Sequence, residues 1–197
     1  MGHTFFATIS RMKYIERWAL MRNSRPENLS EHAMEVAMIA HALCTIGNVR
    51  YGHTLDAEKA ALIGIYHDAT EIITGDMPTP VKYHNEIIRH AYKEIEREAE
   101  CALLQRLPED LRPAYEQIFF QTDDPEERYM RRLVKAADKL SALVKCIEEE
   151  RAGNTEFLKA RLSTENMLEK MTAEMPEVRD FMEEFLPSYG KTLDELS

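Results

Sequence analysis

The chain has 197 residues and a formal net charge of −10, with 44% hydrophobic and 30% charged residues. Those proportions suit one soluble globular domain over 1–197, long enough to bury a core without staples. The acidic balance argues against a partner made of polymeric nucleic acid, and no apolar run approaches the roughly 20 residues that span a bilayer. The N-terminus, Met1-Gly2-His3-Thr4, lacks the basic start and apolar stretch of a secretory leader. Cys44, Cys101 and Cys146 are few, odd in number and scattered, which predicts free buried thiols in the reducing cytoplasm. Seven glycines and long stretches of Ala, Leu, Met, Glu, Lys and Arg predict an all-α chain.

In chain order, the spacing of Phe5, Ile9, Met12 and Ile15 predicts a first helix over 4–20, followed by a loop over 21–29. The first 25 residues are basic: Arg11, Lys13, Arg17, Arg22 and Arg25 stand against one acid, Glu16. A basic patch in an acidic protein suits a compact anion such as a nucleotide phosphate, and suits a solvated helix face as well. Asn28 and Glu31 have capping-box spacing, so a second helix starts near Leu29 and runs to Gly47. Its segment Ala33 to Ala40 is apolar nearly all round, as a central helix would be. Asp56 can cap a third helix to about Tyr66 or beyond. The run Gly75-Asp76-Met77-Pro78-Thr79-Pro80 reads as a loop. Helices follow over 83–107 and 109–120. Asp124-Pro125 then combines an N-cap with proline at the first helical position, and opens a helix to about Ala152. Gly153-Asn154 stops it, and helices over 155–174 and before Pro187 complete seven or eight in all.

Four side chains on separate segments suggest chemistry: His32, the His67-Asp68 pair and Asp138. Histidine nitrogens and carboxylate oxygens together can hold a divalent cation, and a nearby spare carboxylate, here Glu71, equips such a site for phosphate-ester hydrolysis. If 67–71 is helical, Glu71 lies beside both His67 and Asp68, while those two point about 100° apart. Both reach one ion only if other elements approach from the side. His32 shares a face with Val36, Ile39 and Leu43 and points inward, where a histidine is more often a hydrogen-bonded core residue than a ligand. Asp138 points away from the apolar stripe Leu133, Ala137, Leu140, Val144 and Ile147, towards Val134, Ser141, Ala142 and Lys145. Periodicity alone makes it solvated.

The ordered set His32, His67-Asp68 and Asp138 resembles the HD-domain phosphohydrolase superfamily, which is all-helical and metal-dependent. Within it, Arg17-Trp18-Ala19-Leu20-Met21-Arg22-Asn23, Glu27-Asn28-Leu29-Ser30-Glu31-His32, Tyr66-His67-Asp68-Ala69-Thr70-Glu71 and Thr74-Gly75-Asp76-Met77-Pro78-Thr79-Pro80-Val81-Lys82-Tyr83 are similar to the bacterial 5′-deoxynucleotidases. The resemblance runs over essentially the whole chain. It implies a single HD-domain fold in which His32, His67, Asp68 and Asp138 bind one divalent transition metal ion. Co, Mn, Zn, Fe, Ni and Cu are all compatible with mixed nitrogen and oxygen donors. It implies Glu71 as the catalytic carboxylate. Arg17, Trp18, His32, Asp76, Met77, Pro78 and Thr79 would contact a deoxyribonucleoside 5′-monophosphate, and the enzyme would be a homodimer. Trp18 would pack on sugar or base; by composition alone a lone tryptophan anchors a core. Asp76 would bond the 3′-hydroxyl; by composition alone it is a turn residue. His84 and His90 lie where two-metal relatives carry extra histidines, but their six-residue spacing sets them about 120° apart, as on a surface. The rival readings are another HD-domain phosphohydrolase, a phosphodiesterase or triphosphatase, and a non-catalytic nucleotide-sensing module.

Overall fold

Residues 2–82 and 84–197 are described by a computed structural model, with the side chains of Thr79 and Pro80 outside that description. Helix α1 (Phe5–Ile9) passes into a 3-10 turn (Ser10–Tyr14) and stops there. The helix expected to reach residue 20 ends because Ile15 turns to extended backbone and packs its side chain on the core. Glu16 then pairs antiparallel with Asn28. Arg17 N–H donates to Glu27 C=O at 2.9 Å, and Leu29 N–H to Ile15 C=O at 3.0 Å. Residues 15–28 are therefore a loop closed at its base. Beyond Ile15, Trp18 meets Phe157 from the loop and Leu20 is exposed, so no apolar stripe draws a continued helix onto the core.

Local signals set the other starts. α2 (Leu29–Arg50) carries the expected capping box: Asn28 Oδ1 accepts from the N–H groups of Ser30 and Glu31, and Glu31 returns the bond to Asn28 N–H. Asp56 caps α3 (Ala57–Tyr66), and Asn85 caps α6 (Glu86–Leu104). Tyr83, where α6 was expected to begin, lies outside the described residues. Two short helices, α4 (Glu71–Thr74) and α5 (Thr79–Lys82), flank the expected Gly75 loop. After α7 (Arg112–Phe119), Asp124 and Pro125 start α8 (Pro125–Arg151) as foreseen, and Asn154 leads through a 3-10 turn into α9 (Leu158–Thr172) and then α10 (Pro176–Glu184). Among the described residues there is no strand beyond the single bridge, and no helix long and apolar enough to cross a membrane.

Helix α2 is central, as expected, packing on α3, α8 and α10. It is not apolar all round in its environment, since Met34 and Met38 are exposed. Nor does it end at Gly47: a Cβ there would lie 2.9 Å from Oε1 of the buried Glu177, so this glycine serves close packing. One apolar cluster joins Val36, Ile39 and Leu43 to Ile63, Leu133, Ala137, Leu140 and Val178. A second joins Leu29 and Ala33 to Phe5, Met12, Ala69 and Leu103. His32 and the 67–68 turn therefore stand where the two clusters meet. The cysteines are unpaired, and Cys44 and Cys146 are buried; Cys101 is exposed, contrary to expectation.

The polar side of α8 does not face solvent. Ser141, Ala142 and Lys145 are all buried. Lys145 pairs with buried Glu149 and donates to Arg25 C=O at 2.6 Å, while Glu149 accepts from Ser24 N–H at 2.8 Å and Asn154 Nδ2 at 2.7 Å. The loop over 15–28 is thus tied to α8. Burial opposes ionisation of Glu149, but Lys145, Ser24 and Asn154 hold its carboxyl down to about 2, from an ordinary value near 4.5. Its folded-state pKa is depressed, so its contribution to stability is full above about 4.5 and is lost as pH falls towards 2. Glu149→Gln leaves Lys145 buried without its counter-charge. It is expected to cost about 3–5 kcal/mol in denaturant unfolding at neutral pH, and to flatten the acid limb of the stability profile.

Candidate active site

A close contact between α2 and α3 prepares the site. A Cβ on Gly64 would lie 2.8 Å from Ala37 Cα, so only glycine lets α3 approach α2 this closely. That approach sets the end of α3 beside His32. The chain from His67 to Thr70 is a tight turn, and not the continuous α-helix assumed from sequence. Ala69 N–H bonds Tyr66 C=O and Glu71 N–H bonds Asp68 C=O, both at 3.0 Å and three residues apart. With the turn tightened, the adjacent His67 and Asp68 meet, Nε2 to Oδ2 at 3.1 Å.

His32 is 1% exposed. Its Nδ1 lies 2.9 Å from Ser141 Oγ, and its Nε2 lies 3.3 Å from Asp138 Oδ1 and 3.6 Å from Asp68 Oδ2. His67 donates from Nδ1 to Gly64 C=O at 2.7 Å. Both Nε2 atoms are buried and have no hydrogen-bond partner. Donor atoms of His32, His67 and Asp68 all fall within 4.8 Å of one another. Asp138 is not one of this trio but reaches it through His32, and its other oxygen accepts from Lys139 at 2.9 Å. The solvated Asp138 expected from periodicity is therefore wrong. Its polar neighbours on α8 are covered by α2 and by the basic loop, a partnership that counting apolar residues cannot register.

The electrostatics concentrate positive charge at one point. Burial works against a charged His67, yet Asp68 and Asp138 raise its pKa to about 9. Burial alone would raise Asp68, but His67 holds it down to about 2. Carboxylates that hold a proton here would hold a dication equally well. Burial and Arg17 push His32 down, towards the neutral ring that ligation requires. Glu71 is 9% exposed with its Oε2 unpartnered. Burial, then Asp68 and Asp76, raise its pKa to about 9.

The loop over 15–28 delivers one of its three cations, Arg17, here. Arg17 is nearly buried, pairs with Glu27, and is raised in pKa against burial by Glu27, Asp138 and Asp68. Trp18 has φ +58°, rare for a bulky residue and a mark of local strain. Its ring meets Phe157 edge-on at 5.4 Å, Arg17 lies over it at 5.8 Å, and its indole N–H is buried and unpartnered. Burial raises the Asp76 carboxyl, and Arg17 and the Trp18 backbone N–H beside it work against that rise, so the Gly75 loop lies next to the basic loop. Met77 and Pro78 follow, half-buried, and the Thr79 side chain lies outside the described residues. His84 and His90 are exposed, as expected. A cleft of about 330 Å³ opens on His67 and Asp138 and is also lined by Tyr66, Phe119 and Lys135; Arg17, Trp18 and Asp76 do not line it. The sequence reading missed Ser141, Glu27 and Phe157. Ser141 stands three residues after Asp138, so helical spacing could have found it.

The profile described as 5′-deoxynucleotidase YfbR-like matches residues 4–189. The chain belongs to the YfbR-like 5′-deoxynucleotidase family. This family member is 49% identical over 193 residues to a 5′-deoxynucleotidase of Erwinia tasmaniensis, covering 98% of this chain and 96% of that one. It is 48% identical over 197 residues to a 5′-deoxynucleotidase of Yersinia pseudotuberculosis, covering 100% and 98%. Its fold is that of an HD-domain phosphohydrolase from Listeria innocua, with TM-score 0.80 and 23% identity over 96% of this chain and 90% of that one. A cyanophage S-2L HD phosphohydrolase, DatZ, described with dA and one catalytic Zn²⁺, aligns with TM-score 0.65 and 18% identity, covering 98% and 100%. The all-α HD-domain architecture of the YfbR-like family is therefore the architecture of this chain. Gly64→Ala forces α3 off α2 and is expected to cost about 1–3 kcal/mol in denaturant melts, with the His32–His67 geometry disturbed. Wild-type stability and an unchanged His32 environment by NMR would show that the contact relaxes freely.

Proposed function

We propose that this chain is a metal-dependent phosphomonoesterase that hydrolyses deoxyribonucleoside 5′-monophosphates to deoxynucleoside and phosphate. The observation that carries the chemistry is the pair of buried, unpartnered Nε2 atoms aimed with Asp68 at one point, beside an unpartnered Glu71. The deoxyribose preference rests on the near full-length relatives, both named 5′-deoxynucleotidase. His32, His67, Asp68 and Asp138 would hold one divalent ion; nitrogen and oxygen donors in this mix suit Mn, Fe, Co, Ni, Cu or Zn. A dication bound there supplies positive charge against the phosphoryl oxygens and lowers the pKa of water.

Glu71 accepts the proton of the water that attacks phosphorus in line with the departing 5′-oxygen. It must be ionised to do so, and positive charge beside Asp68 offsets the carboxylate repulsion that otherwise holds its pKa near 9. Arg17 leaves or shares Glu27 to grip phosphoryl oxygens with its planar fork. Trp18 presents an apolar ring where a 2′-hydroxyl would sit, a device that discriminates on the order of 100-fold. Asp76, with Met77, Pro78 and Thr79, lines the sugar side, its second oxygen serving the 3′-hydroxyl. On the same reading, residues 1–197 form one domain of a cytoplasmic homodimer, a setting that unpaired thiols tolerate.

The test is phosphate release from paired ribo- and deoxyribonucleoside 5′-monophosphates, before and after chelation and metal re-addition. Release that is insensitive to chelation, or equal for the two sugars, overturns the assignment. Glu71→Ala should keep the metal and lower turnover about 10²–10⁴-fold. Asp138→Ala should instead lose metal, and unchanged metal content would remove Asp138 from the ligand set.

A further inference from the structure

Glu35 takes no part in the reaction just described, yet it ends a hydrogen-bonded chain that begins on His32. It stands three residues after His32 on α2, and Ser141 stands three residues after Asp138 on α8. Two such pairs, each one turn long, face each other across the contact between these helices. Ser141 is 0% exposed, and Glu35 is half-buried. The serine hydroxyl donates its only proton to Glu35 Oε2 at 2.6 Å. Ser141 Oγ itself lies 2.9 Å from His32 Nδ1. Having donated, the hydroxyl can only accept, so Nδ1 carries a ring hydrogen, and in the neutral ring Nε2 carries the lone pair. That lone pair is the unpartnered atom between Asp68 and Asp138.

Without an acceptor at position 35, the Ser141 hydroxyl is free to turn and donate to Nδ1. The ring hydrogen then moves to Nε2, where it points at any cation and blocks ligation. His67 is held in its Nδ1–H form by the carbonyl of Gly64, a backbone group that no side-chain change removes. His32 has no such carbonyl and depends on side chains. We propose that Glu35, acting through Ser141, is a positioning residue that locks His32 in the Nδ1–H tautomer and so presents Nε2 to the metal. The inference rests on His32 being a ligand, as proposed above.

The experiment uses the purified full chain and titrates Co²⁺ or Mn²⁺ against a competing chelating dye. The ¹⁵N resonances of the His32 ring are read in the metal-free protein. Glu35→Leu and Ser141→Ala are expected to weaken metal binding about 10–100-fold and to give His32 a mixture of tautomers. Glu35→Gln, whose amide oxygen still accepts from Ser141, should bind close to wild type, a rescue that a purely structural role for the charge would not predict. The Glu35→Leu/Ser141→Ala double variant should be no weaker than Ser141→Ala, because Glu35 acts only through the hydroxyl. Ser141→Ala is a minimal change in a helix and keeps the test open if Glu35→Leu fails to fold. Wild-type affinity and a single His32 tautomer in Ser141→Ala would overturn the role of Glu35, as would equal losses in Glu35→Gln and Glu35→Leu. Wild-type protein that binds neither cation would sink the ligand reading of His32 as well, an outcome distinct from normal binding with unaffected variants.

Discussion

Burying an imidazole nitrogen without a hydrogen bond costs about 1–3 kcal/mol, and this protein does so twice within one contact distance. The rings of His32 and His67 are held at Nδ1, one by Ser141 and the other by Gly64, so both Nε2 atoms face the same buried point. Asp68 and Asp138 then fill the space with negative charge rather than with donors. A group of this kind is stable only if a positive charge completes it, whether the proton that the carboxylates hold on His67 or a dication. The remaining features of the molecule are arranged around that constraint.

Packing supplies the approach. Gly64 brings α3 against Ala37, the tight turn after α3 aims adjacent side chains at one place, and α2 passes through both apolar clusters with His32 at their meeting point. The loop that brings Arg17 and Trp18 is held independently. Its base is closed by the bonds among Ile15, Arg17, Glu27 and Leu29, and its far side by Lys145 and Glu149. A buried ion pair contributes little net stability against an apolar alternative, but it fixes the backbone it bonds, and here that backbone carries an arginine and a strained tryptophan.

The basic character of the first 25 residues is only partly about the site. Arg22 pairs with Glu156 at 2.6 Å, Arg25 with Glu31 at 3.4 Å, and Arg11 and Lys13 lie over the Tyr14 ring. Arg17 alone is within electrostatic reach of Asp68 and Asp138. On the proposed reading, one guanidinium beside these buried carboxylates would be enough to orient a monophosphate, whereas a broad basic surface would recruit polyanions that the acidic remainder of the chain repels.

Caps and turns were decided within a few residues of chain, so Asn28 with Glu31, Asp56, and Asp124 with Pro125 were legible before any fold was known. The ordered His32, His67-Asp68 and Asp138 were legible as a motif, because ligand types and their order survive in one dimension. Their convergence was not. Asp138 looked solvated, and residues 15–20 looked helical, because periodicity measures burial against apolar partners. The partners that turn these segments inward are polar: His32 and Glu35 beside Ser141, and the loop carbonyls over Lys145. Such partners come from residues about a hundred positions away, and only tertiary structure brings them together.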